Sequence, residues 1–273
     1  KSQLIKKFEQ YIKDTIKSNY KCIINLDDPI SEKIFKKQPK SSNFLTYGIE
    51  FENANIRAKN IEYNWHGISY DLIINDQFVE RVSINLFGKH NVYNSLAAIA
   101  IAIAKEIPLK NIINGLNSFK GVRRRLELKY KLNNILLYDD YAHHPSEIVT
   151  TLEGIYKSFS GYQITTIFQP HRFSRLTSLF DGFSTSFRRS NTTIILPVFS
   201  AGELQENNKT STDLVDELEK NGMKSLFCDS FDSAKDTITN ILEEKSIIIL
   251  MGAGNITKIS KELIPIIKEK VNH

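Results

Sequence analysis

Beyond Asn134 the chain switches repeatedly between two hydrophobic periods, and that alternation restricts its fold more than any other feature. The runs ILLYDD, QITTIF, TTIILPV, MKSLFC and SIIILMGAG are short and mostly apolar, as strands are. Between them stand SEIVTTLEGIYKSF, STDLVDELEKNG and DSAKDTITNILEE, whose apolar residues recur at helical spacing. A strand that is apolar along its whole length needs cover on both faces, and the intervening helices supply it. The expected product is a parallel α/β sheet. Such sheets bind ligands beyond the carboxyl ends of their strands. The run DDYAHHPSE, Asp139 to Glu147, directly follows the strand ILLY and directly precedes a helix whose first turn suits Pro145. It is therefore expected at a ligand-binding edge.

The first 120 residues read differently. A helix over 1–18 leads to the strand KCIIN and the turn LDDP, and then IRAKNIEYNW, ISYDLIIND and FVERVSINL alternate like antiparallel strands. The alanine-rich GKHNVYNSLAAIAIAIAKEIP follows as a helix that Pro108 is expected to end. A length of 273 residues exceeds what one core usually holds. With a hinge near Phe119 to Arg125, the expected domains are 1–121 and 122–273.

Composition narrows the function classes. An apolar content of 41% and a charged content of 25% are those of a globular protein, and no stretch is long and apolar enough to cross a bilayer. The N-terminal residues lack the apolar core and small-residue cleavage site of a signal peptide. Cys22 and Cys228 have no ligand-like spacing, which predicts reduced thiols and a cytoplasmic setting. The net charge of +5 and pI near 8.9 come from lysines spread along helices, without an aromatic-interleaved basic stripe. An anionic small ligand is expected, and neither nucleic acid nor membrane. There is no internal repeat, and the oligomeric state is not legible.

Three further clusters carry chemistry. In GKHNVYN, Gly88 allows a sharp turn, and Asn91 and Asn94 stand three apart on a helix start, offering amide donors and carbonyl acceptors to a purine edge; the alternative is ordinary capping by Asn91. In GVRRRLE the consecutive Arg123, Arg124 and Arg125 suit phosphate oxygens, and strand alternation would send Arg124 opposite to its neighbours; the alternative is a solvated hinge. FQPHRFSR follows the strand QITTIF and brings His171, Arg172 and Arg175 to the same edge as DDYAHHPSE. Arg172 and Arg175, at i and i+3, are expected to share a face and clamp one anion. A zinc site is disfavoured, because adjacent His143 and His144 diverge on most backbones. No GxSxG elbow is present, and the lone GxG of LMGAGNIT fits close packing better than a dinucleotide site.

Taken in order and spacing, FGKHNVYNSLAA, FKGVRRRLE, DDYAHHPSE, FQPHRFSR and FSAGE resemble the Mur ligases of bacterial cell-wall synthesis. The resemblance implies the C-terminal half of a central ATPase domain, a mixed sheet with helices, followed by a Rossmann-like α/β domain. It also implies a fragment, since the family's N-terminal domain and its GTxGKT phosphate loop have no counterpart here. Magnesium ligands would lie mostly in the absent part. The double histidine and the PHR-x-x-R block resemble the member that joins L-alanine to UDP-N-acetylmuramate with ATP, through an acyl phosphate. The alternatives are a sister ligase that adds a ready-made tripeptide to the same sugar nucleotide, and a non-catalytic nucleotide-binding fragment. By resemblance, His90, Asn91 and Asn94 meet adenine, Arg125 reaches the nucleotide phosphates, and Asp140 meets the nucleotide. Tyr141, His143, His171, Arg172 and Arg175 line the pocket for the amino acid and the substrate carboxylate, while Glu147 belongs to a helix's first turn. Leu126, Phe173, Leu176 and Phe199 depart from the family pattern, and Leu176 removes a hydroxyl near Arg175. The fragment alone is expected to be inactive.

Overall fold

A computed structural model describes residues 2–39, 43–206 and 208–271. It forms two compact units, Lys1–Lys120 and Gly121–His273. Lys1, which the expected first helix included, lies outside the described residues.

The first unit opens with α1 (Ser2–Lys17), β1 (Cys22–Asn25) and α2 (Pro29–Lys36). The LDDP turn starts α2. The Asp28 carboxylate accepts from the Ser31 N–H at 2.7 Å, and Pro29 fills a position whose N–H would have no helical partner. Then β2 (Phe44–Gly48), β3 (Ile56–Asn64), β4 (Gly67–Ile74) and β5 (Gln77–Ile84) complete a sheet in the order β1 to β5. The first three strands run parallel, whereas β3, β4 and β5 form an antiparallel meander. Asn75 and Asp76 turn β4 into β5 with φ of 47° and 65°, the left-handed pair that tight hairpins need.

Two helices, α3 (Lys89–Ala104) and α4 (Leu109–Ser118), supply the apolar cover. Tyr70 and Leu72 alternate onto one face of β4 and are fully buried in a cluster with Val92, Leu96 and Ile99 of α3. Each such side chain stabilises the fold by roughly 1.5–3 kcal/mol. The Tyr70 hydroxyl is satisfied by Ser95 Oγ at 2.7 Å, and burial pushes its pKa up to about 12. Pro108 does not end α3. The helix stops at Ala104, the left-handed Glu106 (φ 57°) turns the chain, and Pro108 heads α4 instead.

The second unit comprises β6 (Glu127–Leu132), β7 (Ile135–Asp140), α5 (Pro145–Ser158), β8 (Gln163–Phe168), α6 (Phe173–Ser178), α7 (Phe180–Phe183), β9 (Thr192–Ile195), α8 (Ser211–Lys220), β10 (Ser225–Phe227), α9 (Phe231–Ile241), β11 (Ser246–Met251) and α10 (Ser260–Val271). A short 3-10 turn, Ile256–Ile259, leads into α10. The sheet order is β10-β9-β8-β11-β7-β6. Its first five strands are parallel, as the alternating pattern requires. The edge strand β6 departs from the expected parallel sheet. It is antiparallel to β7, because only two residues, Asn133 (φ 49°) and Asn134, join them, too few for a crossover. Every residue of β7 and β11 is buried, as strands covered on both faces must be. Ile135, Leu137, Ile248 and Leu250 pack in one cluster with Leu263 and Ile267 of α10.

The last strand in the chain lies in the middle of this sheet. Met251 is level with Asp140 of β7 on one side and with Phe168 of β8 on the other. Residues 141–144, 169–172 and 252–255 therefore leave the sheet side by side along its carboxyl edge.

Candidate functional site

At that edge β7 hands over to α5 through Tyr141, Ala142, His143 and His144. His144 is the cap of α5, its ring accepting from the Ser146 N–H, and Glu147 closes the box by accepting from the backbone N–H of His143 at 3.0 Å and of His144 at 3.2 Å. Burial alone would raise the Glu147 pKa, but those two N–H groups and the charge of Arg125 hold it below the ordinary value. The two histidines thus separate, one toward the helix and one toward the strand edge.

His143 Nδ1 lies 2.9 Å from the Tyr141 carbonyl and 3.4 Å from Glu147 Oε2. Both partners only accept, so Nδ1 carries a proton and Nε2 of the neutral ring is left with its lone pair. The Tyr141 ring stands edge-on to His143 with centroids 5.2 Å apart, and the His171 ring follows at 6.3 Å. Phe199 stacks on His171 at 5.4 Å with 17° between the planes, and His171 pairs with Phe199 through an isolated parallel bridge. Arg175 Nη1 lies 3.2 Å from His171 Nδ1. A guanidinium only donates, so Nδ1 accepts and the neutral ring keeps its proton on Nε2. Burial first, then the positive charges of Arg175 and Arg172, hold the His171 pKa below the ordinary imidazole value. Two imidazoles of opposite tautomer, a phenol and a guanidinium converge here.

Arg172 and Arg175 take different partners. Arg172 precedes α6 with a left-handed φ of 71° and turns to Glu203 at 3.7 Å, whereas Arg175 bonds back to the ring and carbonyl of His171. Glu203, from the FSAGE run, is held by the Ser174 hydroxyl at 2.7 Å and the Ser174 N–H at 3.0 Å, which keep its pKa low. Leu176 is buried on the far side of that turn of α6.

The arginine run is a turn and not part of the following strand. Arg124 has φ 55° and Leu126 φ 50°, so alternation does not apply before β6 begins at Glu127. Arg125 is outward, its side chain 57% exposed and 3.7 Å from Glu147. Arg124 folds inward toward Asp139. Asp140 is buried at 4% exposure, with Oδ1 accepting from the Ala142 N–H and Oδ2 from the Thr151 hydroxyl, and burial raises its pKa. It stands behind the edge and holds the start of the β7–α5 turn. Gly252 and Gly254 leave β11 against Gln169 and Phe199, where an added Cβ would sit 2.7 Å from the Gln169 carbonyl or 2.6 Å from its side chain. Close packing is the role of this GxG.

In the first unit, His90 and Asn94 are exposed at the start of α3, while Asn91 is half-buried. The Asn91 amide donates to the Phe87 carbonyl at 2.8 Å, and its oxygen accepts from the Asn94 amide at 3.1 Å. Asn91 is therefore not the cap, since Gly88 holds that position with no side-chain bond, and Asn94 spends its amide on Asn91 and is exposed. What the sequence did not single out is Asp27. Its carboxylate accepts from the N–H groups of Ile49, Glu50 and Phe51 and from the Tyr93 hydroxyl at 2.9 Å, tying the first turn of α3 to the end of β2. The LDDP turn was the available signal, since an aspartate that is not the helix cap needs another partner.

Residues 3–102 match the Mur ligase middle domain and residues 124–254 the Mur ligase glutamate ligase domain. The UDP-N-acetylmuramate–L-alanine ligase of Clostridium acetobutylicum is 36% identical over 93% of this chain and 54% of its own length. Its counterpart in Clostridium novyi is 34% identical over 88% of the chain and 51% of its own length. The crystal structure of the UDP-N-acetylmuramate-alanine ligase of Thermotoga maritima superposes with a TM-score of 0.74 at 21% identity, covering 91% of this chain and 51% of that one, a likeness of fold. The chain spans about half the length of the curated relatives it matches.

Proposed function

This chain belongs to the Mur ligase family, and on that footing we propose that it is the part of an ATP-dependent ligase that receives the amine and the activated carboxylate, joining L-alanine to UDP-N-acetylmuramate in peptidoglycan precursor synthesis. The observation that carries the reading is the convergence of Tyr141, His143, His171 and Arg175 at the ends of β7 and β8, with complementary tautomers. The carboxylate is first phosphorylated by ATP to an acyl phosphate. The alanine amine then attacks the carbonyl carbon, and phosphate leaves. Both steps gather negative charge on oxygen, so fixed donors count for more than covalent help.

In this reading His143 Nε2, with its free lone pair, takes a proton from the alanine ammonium and leaves a nucleophilic amine. His171 Nε2–H and the Arg175 guanidinium donate to the substrate carboxylate and to the tetrahedral oxyanion. Arg172 and Tyr141 border the same pocket. Asn94 and Asn91, with His90 beside them, offer a donor and acceptor edge to adenine, and the exposed Arg125 is free to reach the phosphates. Asp140 acts by holding the turn that carries Tyr141 and His143. Among the described residues no group of three or more His, Cys, Asp or Glu could hold a metal ion, so magnesium is not assigned ligands on this chain. The 273 residues also contain no GxxxxGK[ST], so the chain alone is expected to turn over no ATP. Among the described residues no helix is long and apolar enough to cross a membrane.

The test is phosphate release from ATP and UDP-N-acetylmuramate by the protein of the complete reading frame that encodes this chain. Release dependent on L-alanine supports the proposal. Equal or faster release with a tripeptide transfers the assignment to the sister ligase, and nucleotide binding without release for either amine leaves a binding fragment. Steady turnover by the 273-residue chain alone overturns the need for a phosphate loop.

A further inference from the structure

Of the three consecutive arginines, Arg124 carries the most unusual surroundings. Its side chain is 24% exposed, and its φ of 55° is a conformation that costs a non-glycine residue roughly 1–2 kcal/mol. The chain holds it there from several sides. Its N–H donates to Glu127 Oε2 at 3.0 Å, and its carbonyl accepts from the Tyr141 N–H at 2.6 Å. The guanidinium Nη2 donates to the Gly252 carbonyl at 2.5 Å and reaches the Gly254 carbonyl at 3.4 Å. Arg124 Nε lies 3.7 Å from Asp139 Oδ2, and the plane stands 4.7 Å from the centre of the Tyr141 ring.

Asp139 is fully buried, its Oδ2 accepting from the Thr257 hydroxyl at 2.6 Å, while Oδ1 has no hydrogen-bond partner. Arg124 Nε is likewise buried and without one. A buried carboxylate left without its cation is strongly destabilising, so Asp139 fixes where the guanidinium must stay. The guanidinium in turn binds together what leaves β7 and what leaves β11, and it presents one face to the phenol ring. An ammonium cannot do this. Lysine offers a point charge, without a plane to stack and without a fork to span two carbonyls.

We infer that Arg124 is a positioning residue for the amino-acid pocket: held by Asp139, it clamps Tyr141 from behind by ring face and backbone, and so sets the phenol against His143. The neighbouring Arg125 lies farther over the same ring, 5.8 Å from its centre, but its side chain is 57% exposed and makes none of the carbonyl or Asp139 contacts, so adjacent arginines divide the work between scaffold and ligand. The inference rests on the proposed ligase reading, in which Tyr141 borders the amino acid. It goes beyond it by assigning specificity for the amine to a residue that touches no substrate.

The test uses the protein of the complete reading frame with Arg124→Lys, Arg125→Lys, Tyr141→Phe and the double variant Arg124→Lys/Tyr141→Phe. Arg124→Lys is expected to raise KM for L-alanine about tenfold while KM for ATP moves less than twofold. Arg125→Lys should show the opposite split. The double variant should be no worse than the more damaging single one, because both changes act through one ring. Asp139→Asn, which keeps shape and relaxes the hold on the guanidinium, should move the alanine KM the same way by a smaller factor, and it carries the test if Arg124→Lys does not fold. A second readout needs no turnover: with ring-labelled tyrosine, the Tyr141 resonance should shift in Arg124→Lys and Asp139→Asn, and by less in Arg125→Lys, whose guanidinium stands farther from the ring. An unmoved resonance overturns the inference. So does an alanine KM unchanged in folded Arg124→Lys, or additive losses in the double variant. If the parent protein shows no alanine-dependent release while the resonance does shift, the ligase reading fails and the clamp stands.

Discussion

Replacing Gly252 by alanine isolates how tightly the carboxyl edge of the second sheet is packed. Two penalties apply. Gly252 has φ 150°, which L residues rarely adopt, and its new Cβ would lie 2.7 Å from the Gln169 carbonyl oxygen, a backbone atom that no rotamer change can move. Strain of this kind costs about 1–3 kcal/mol, and overpacking against an unyielding neighbour about 1–3 more. The loss of chain entropy in the unfolded state returns roughly 0.4–1 kcal/mol. The net is about 3 kcal/mol, or roughly 100-fold in an opening equilibrium at tenfold per 1.4 kcal/mol. Gly161 is the control, with φ 78° and nothing within 4 Å of the position a Cβ would take, so its alanine variant carries the conformational term alone, about 1 kcal/mol. Amide hydrogen exchange along Ser246–Met251 reads the difference, because those buried residues open only with the sheet. Exchange within fivefold of the parent for Gly252→Ala, or equal acceleration by the two variants, would refute the steric reasoning.

In the protein of the complete reading frame, Arg175→Lys keeps the charge and loses the fork, so kcat/KM should fall by about 1–3 kcal/mol of transition-state stabilisation, and unchanged kinetics with alanine would remove Arg175 from the pocket. Asn94→Ala should raise KM for ATP and leave KM for alanine alone if the exposed amide meets adenine as proposed; an unaltered ATP value counts against it. His171 has a folded pKa below its unfolded one, so the unfolded chain binds the extra proton and stability falls as pH drops below the ordinary imidazole value, about 6.5. His171→Gln should flatten that part of the curve of urea midpoint against pH between about 7.5 and 5, and an identical slope would show that the ring does not titrate as described.

Period and punctuation made most of the fold legible. The strand ILLYDD coincides with β7 and QITTIF with β8, because Asn133 and Asn134 turn the chain just ahead of the first and Gly161 stands just ahead of the second. The antiparallel β6 was less visible, since its direction follows from a two-residue connection and not from its own composition. Site residues separated in the same way. His143, His171 and Arg175 were legible as chemistry following a strand, whereas the inward turn of Arg124 depends on a left-handed backbone and on carbonyls 128 and 130 residues away. The turn of Arg172 toward Glu203 was hidden for a related reason, as its φ of 71° takes it out of the helical register that spacing assumes. Asp27 needed three N–H groups from a loop 22 to 24 residues on, a partnership no local pattern announces.

The position of β11 has a consequence for how the second unit comes into being. Synthesis runs from β6 toward α10, yet β11 is the strand on which both halves of the sheet close, with β7 on one side and β8 on the other. Until Ser246–Met251 has left the ribosome, β7 with β6 and β8 with β9 and β10 are two partial sheets, each with an unpaired parallel edge where β11 belongs. No pocket exists at that stage, because its two walls follow β7 and β8 and are brought level only through β11. Termination between Phe168 and Ser246 thus yields two exposed edges, a substrate for aggregation and proteolysis. The unit closes its sheet and aligns the carboxyl edges of β7 and β8 in one step, when β11 docks.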